Sequence, residues 1–147
     1  MKRSLILIVF IFFTFSVFAE EVKKGLAPLC TSCNMPILDK NIKFSVSDTK
    51  SLQKVMFDDI GCALIWRDQQ CATMQDSFDS NATTYDYYTS EPVRLSDAFY
   101  VIQSGVNTPM GYGIVAFKNR DRAEGFLKES KKGRILSYQE LLQIKLK

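Results

Sequence analysis

"FDDIGCALIWRDQQ", residues Phe57–Gln70, contains the joint on which the fold turns. Lys54 to Phe57 read as a strand arriving at that joint. Asp58 or Asp59 then offers a side-chain oxygen to the free amides of a starting helix. Ile60, Ala63 and Leu64 share one face of that helix, which runs to about Gln70. Upstream, Ile42, Phe44 and Val46 alternate with Lys43, Ser45 and Ser47, the period of a half-buried strand. Asp48-Thr49-Lys50-Ser51 makes the turn between the two strands. Downstream, "QDSFDSNAT" at 75–83 reads as a polar loop and Tyr85 to Thr89 as a short strand.

The second half repeats this order. Ala98 to Gln103 is a strand, and Ser104 to Gly111 is a loop holding Pro109 and Met110. Tyr112 to Phe117 is the next strand. A helix follows, with Asp121 as a possible cap and Glu124 at capping-box spacing. Ala123, Phe126 and Leu127 form its inner face, and Gly133 ends it. Arg134 to Leu136 closes the unit, and Ser137 and Glu140 form a second capping-box pattern at a terminal helix. Phe57-Asp58-Asp59 and Phe117-Lys118-Asn119 occupy matching strand-to-helix joints. The expected fold is therefore α+β, two ββαβ-like units in one domain.

Met1-Lys2-Arg3 precede an uncharged run from Ser4 to Ala19, with Glu20 and Glu21 next. This pattern predicts a secretory signal over 1–19, cleaved after Ala19. An uncleaved anchor is the alternative, but the run is on the short side of the ~17–25 residues that span a bilayer. Residues 20–29 read as a linker. The domain is expected over 30–147, with halves at about 30–90 and 97–137. Without Lys2 and Arg3 the chain carries 17 Lys+Arg against 16 Asp+Glu, and no basic run interleaves with aromatics. Nucleic acid is not indicated. The predicted location is the periplasm, with no permanent membrane anchor once the signal is removed.

There are four cysteines, Cys30, Cys33, Cys62 and Cys71, and no histidine. The lack of imidazole removes the commonest metal ligand and any Ser/His or Cys/His dyad. Export permits two structural disulfides. On one continuous helix, however, Cys62 and Cys71 stand about 13.5 Å apart, too far for a direct bridge. A zinc ribbon needs a second close pair. A c-type haem needs His after the second Cys, where Asn34 stands. Pro36 argues against the helix that a thioredoxin-type CxxC opens. A Cys30–Cys33 disulfide stays open.

A soft-metal site also fits "CTSCNMP", residues 30–36. Thiolate and thioether sulfurs select Cu(I). Cys33 and Met35 turn to one point if the intervening Asn34 makes a bend. Met110 sits in a Pro/Gly-flanked loop, where core packing has little use for it. Single methionines are usually core filler, and Met56 and Met74 read that way. Cys62 follows Gly61 near a helix start, where the helix dipole lowers a thiol's pKa. It reads either as a third thiolate or as a buried, half-apolar residue.

In order and spacing, the chain resembles the NosL family of exported copper chaperones associated with nitrous oxide reductase maturation. The similarity spans roughly residues 28–142. It is carried by "CTSCNMP", "FDD" with Gly61-Cys62, "DYYT" at 86–89, "DAFYVIQS" at 97–104, "TPMG" at 108–111, "AF" at 116–117 and "AEGFLKESKKGRIL" at 123–136. The resemblance implies one Cu(I) on sulfur ligands. Cys33 and Met35 match the family's Cys-Gly-Met, and Met110 its Pro-Met-Gly. Cys30 is shared by only part of the family. Asn34 replaces the usual Gly, histidines found in many members are missing, and the lipoprotein Cys is absent. The implied activity is a non-enzymatic metallochaperone that delivers copper to nitrous oxide reductase or its assembly factors. The rival is an exported thiol–disulfide protein acting through Cys30/Cys33.

Overall fold

The computed structural model describes residues 27–146. The predicted signal over 1–19 and most of the linker lie outside them. Two antiparallel sheets carry the fold. The first contains β1 (Val46–Asp48), β2 (Val55–Phe57), β3 (Thr83–Tyr85) and β4 (Pro92–Arg94), in the order β2-β1-β3-β4. The second contains β5 (Phe99–Ile102), β6 (Val115–Phe117) and β7 (Arg134–Leu136), in the order β6-β5-β7. In both units a hairpin is followed by helix, and the third strand returns beside the first. The ββαβ repeat is thus a repeat of topology.

The helices are α1 (Ile60–Asp68) and α2 (Ala72–Asn81) in the first unit, α3 (Arg120–Ser130) in the second, and α4 (Tyr138–Leu141) after it. Phe57 pairs with Val46 across the first hairpin, and Phe117 with Phe99 across the second. Both phenylalanines are fully buried. Asp59 caps α1 by accepting from the Gly61 amide at 2.9 Å. Asn119 caps α3 by accepting from the Arg122 amide at 3.1 Å. A polar side chain that cannot extend the strand satisfies free amides of the next helix at both places.

Several local readings give way to tertiary packing. Residues Asp39–Phe44 form a 3-10 helix, and the strand begins only at Val46. Short alternating runs do not distinguish the two forms, and the turn buries Phe44 against Tyr87. The polar segment 75–83 is mostly helical. Its anchor is Phe78, buried against Phe57 and Trp66 with ring centroids 6.0 and 5.4 Å away. Asp79 on the same helix receives two hydrogen bonds from Arg67 and one from the Tyr138 hydroxyl. Such contacts stabilise a helix whose own propensity is poor.

Only Tyr85 of the tyrosine-rich stretch is strand. Asp86 accepts from the amides of Tyr88 and Thr89 and bends the chain into a turn. On α3 the cap is Asn119, and Glu124 pairs with Arg120 instead of closing a capping box. Lys131, at φ 54°, ends that helix. Gly133 has a different duty: a Cβ there would lie 2.6 Å from the Ile102 carbonyl oxygen. The Ser137–Glu140 capping box forms as predicted.

The units interlock. Phe44 and Tyr87, from the first, pack with Val101, Val115, Phe117 and Phe126 of the second. The Tyr87 amide donates to the Ala116 carbonyl at 2.8 Å. Among the described residues, no helix is long and apolar enough to cross a membrane.

Candidate metal centre

Three segments converge at the β2–α1 joint. The first is the cysteine turn. The Cys30 amide donates to the Met35 carbonyl at 2.8 Å, and the Asn34 amide donates to the Cys30 carbonyl at 2.9 Å. Asn34 lies in the left-handed region at φ 61°, so the bend proposed between Cys33 and Met35 is present. Asparagine tolerates that conformation better than most residues. This turn docks on the edge strand β2: the Thr31 amide donates to the Met56 carbonyl at 2.7 Å, and the Met56 amide donates to the Thr31 hydroxyl at 3.1 Å.

The second segment is the joint itself, with Asp58, Asp59 and Cys62. The third is the β5–β6 loop of the other unit. Its Met110 amide donates to the Asp59 carboxylate at 3.0 Å. Asp59 therefore caps α1 with one oxygen and holds the Met110 loop with the other. Burial raises the Asp59 carboxyl, against the pull of hydrogen bonds from the Thr108 side chain and the Met110 and Gly61 amides. Tyr112, further along the loop, lies on Gly61. A Cβ at Gly61 would meet the Tyr112 ring at 2.2 Å, so a glycine is needed for the loop to approach.

At this meeting point the Sγ atoms of Cys30, Cys33 and Cys62 and a carboxylate oxygen of Asp58 all lie within 4.8 Å of one another. Cys33 donates from sulfur to Asp58 Oδ1 at 3.6 Å. Cys30 and Cys62 are buried and Cys33 is half-buried. All are free thiols, as is Cys71, which stands exposed at the start of α2. The helix break after Asp68 separates Cys71 from Cys62. Met35 and Met110 are 52% and 40% exposed, on the two loops that flank the cluster.

The helix start does not activate Cys62. Burial pushes its thiol up, and the neighbouring Cys30, Asp58 and Cys33 add to that effect. Burial raises Cys30 as well. Desolvation disfavours an anion here more than the helix terminus favours it. A cation bound between the sulfurs would reverse this balance by supplying the charge that the thiolates lack.

The NosL family model matches residues 24–145. The chain belongs to the NosL family. No curated protein matches it. Among solved structures, it is similar to the crystal structure of the copper chaperone NosL from Shewanella denitrificans. The identity is 16%, the TM-score is 0.50, and the match covers 79% of this chain and 90% of that one. At that identity, the likeness shows a shared NosL fold.

Sequence reasoning placed Cys30, Cys33 and Met35 on one turn and singled out the Met110 loop. It did not find Asp58 as a neighbour of the thiols. It left Cys62 between two readings. The available signal was the position of Asp58 and Cys62 on either side of one predicted strand-to-helix joint.

Proposed function

We propose that this protein is an exported metallochaperone that binds Cu(I) and passes it on without chemistry of its own. The observation that carries the reading is the gathering of three free thiols within 4.8 Å, flanked by two loops bearing exposed thioethers. Sulfur donors without imidazole suit a soft monovalent ion. Cys33 and Met35, from one turn, and Met110, from the opposite loop, are the ligands next to solvent, with Cys30 behind them. Carriage requires exchange, and half-exposed ligands let an acceptor add its own donors before these leave. Family membership supports nitrous oxide reductase or its assembly factors as the acceptor and the periplasm as the location.

The thiol–disulfide reading is less well supported. A redox CxxC of the thioredoxin type opens a helix and lowers the attacking thiol's pKa. Here the motif lies in a turn laid along β2, and burial raises Cys30.

Titration of reduced protein with Cu(I) against a competing chelator tests the proposal. One tightly held ion is expected. Cys33→Ser should weaken retention about a hundredfold, and Met110→Ala should slow delivery of the ion to the chelator about tenfold. Unchanged delivery in Met110→Ala, with effects only in the cysteine variants, would remove the thioether from the site. Turnover of a disulfide substrate at catalytic rates would favour the redox reading. Transfer of copper from loaded protein to copper-free nitrous oxide reductase tests the acceptor.

A further inference from the structure

The thioethers and the thiols are not at the same depth. Met35 and Met110 are 52% and 40% exposed, whereas Cys62 is 3% exposed and Cys30 is fully covered. Cys33, half-buried, lies between these extremes. We propose that Cys62 is a copper ligand, that Cys30, Cys33 and Cys62 form an inner three-sulfur seat, and that the ion reaches an outer thioether seat through the shared Cys33. This inference rests on the copper-carrier reading and deepens it.

The geometry favours it in three ways. First, a trigonal site with metal–thiolate bonds of about 2.3 Å sets its sulfurs about 4 Å apart. The three thiols lie within 4.8 Å before any ion draws them together. Second, Cys30 and Cys62 come from different elements, the docked turn and the first turn of α1. Their meeting requires the Thr31–Met56 hydrogen bonds that seat the turn on β2. Cys62 packs within the core, but its sulfur also lies within 4.8 Å of two thiols and the Asp58 carboxylate, a grouping that apolar packing alone does not call for. Third, the Met110–Tyr112 loop covers the joint, with the Tyr112 ring against Gly61, so the inner seat is screened from water on that side.

The division of labour follows from the ligands. Charged thiolates in a buried pocket hold Cu(I) firmly and keep water away. Neutral thioethers at the surface bind it more weakly and accept exchange. Because Cys33 can belong to both seats, the ion moves without being released: bonds to Cys30 and Cys62 break as bonds to Met35 and Met110 form. Copper stays monovalent throughout. Each thiol gives up its proton to solvent when it ligates and takes one back when the ion leaves.

X-ray absorption at the copper edge, combined with chelator competition under reducing conditions, provides the test. Wild-type protein with one equivalent of Cu(I) should show three sulfur neighbours. Cys62→Ser should lose one of them and weaken retention at least about tenfold, with an unchanged circular dichroism spectrum. Met35→Ala/Met110→Ala alters only surface side chains. It should keep sulfur-only copper while slowing its transfer to the chelator. An unchanged sulfur count and retention in Cys62→Ser would overturn the inner seat and leave the carrier reading standing. If Cys62→Ser does not fold, loss of all sulfur-bound copper from the double methionine variant would overturn it instead. Zinc displacing copper from the wild-type thiols would also overturn it. Failure of wild-type protein to retain Cu(I) would overturn both readings.

Discussion

The two ββαβ units have the same strand order, yet only one gathers chemistry at its joint. At Phe57-Asp58-Asp59 both carboxylates are buried. Asp58 meets the thiols, and Asp59 ties the helix start to a loop from the other unit. At Phe117-Lys118-Asn119 the residues after the phenylalanine are exposed, and the cap serves its own helix alone. The nearby acid there is Asp86, which arrives from the first unit. It accepts from the Lys118 amide at 2.9 Å and pairs with Arg122 at 3.0 Å. One joint therefore sets its own acids beside free thiols and a loop of the other unit, whereas the other joint borrows an acid that fastens the units together. A repeated backbone supplies equivalent positions, and the side chains decide which becomes a site.

The sharpest test of that division is also the most destructive. Phe57→Ala and Phe117→Ala each empty a fully buried aromatic position and should each cost about 3–5 kcal/mol in denaturant unfolding. Only Phe57→Ala should also weaken Cu(I) retention, because it loosens the strand that carries Asp58 and receives the cysteine turn. Equal copper defects in both variants would erase the functional difference between the units.

Asp86→Asn should come next, at about 1–3 kcal/mol near neutral pH. Burial alone would raise the Asp86 carboxyl, but hydrogen bonds from the Lys118 amide, the Arg122 side chain and the Thr89 and Tyr88 amides hold it below its ordinary 3.8. A lowered folded value adds stability that is present above the unfolded value and is lost as pH falls through the folded one. The gap between wild type and Asp86→Asn in urea melts should therefore narrow below about pH 4. A gap that widens on acidification would contradict the assignment.

A pair of glycines comes last, with effects of opposite sign and the smallest of all at Gly125. Gly61→Ala drives a methyl into the Tyr112 ring and should cost about 1–3 kcal/mol while impairing copper retention. Gly125, within α3, has nothing within 4 Å of an added Cβ. Gly125→Ala should raise stability by about 0.5–1 kcal/mol and leave copper untouched. Thermal melts and chelator competition on both variants check this.

The parts legible in the sequence are those set by local chemistry. A cap at Asp58 or Asp59 was readable because a short acceptor before an apolar helix face has few other uses, and the structure selects Asp59. The bend at Asn34 and the capping box at Ser137 were readable for similar reasons. The helix around Phe78 was not, because its stability comes from Phe57, Trp66 and Arg67, which are distant in sequence. The 3-10 helix ending at Phe44 was missed because six alternating residues cannot reveal which surface will cover them. In the site, the Cys33–Met35 turn was legible within one heptapeptide. The approach of Cys62 to Cys30 was not, since it depends on a turn docking along the edge of β2.

The order of residues alone thus determined the repeated strand–helix plan, the capped start of α1 and the preference for sulfur over imidazole. Which sulfurs share one pocket, and how deeply each lies, was decided only when β2 accepted the cysteine turn and the β5–β6 loop closed onto Asp59. Periodicity and capping act over a few residues. A cluster of thiols flanked by a loop of the other unit exists only after long-range hydrogen bonds and core packing have brought these segments together.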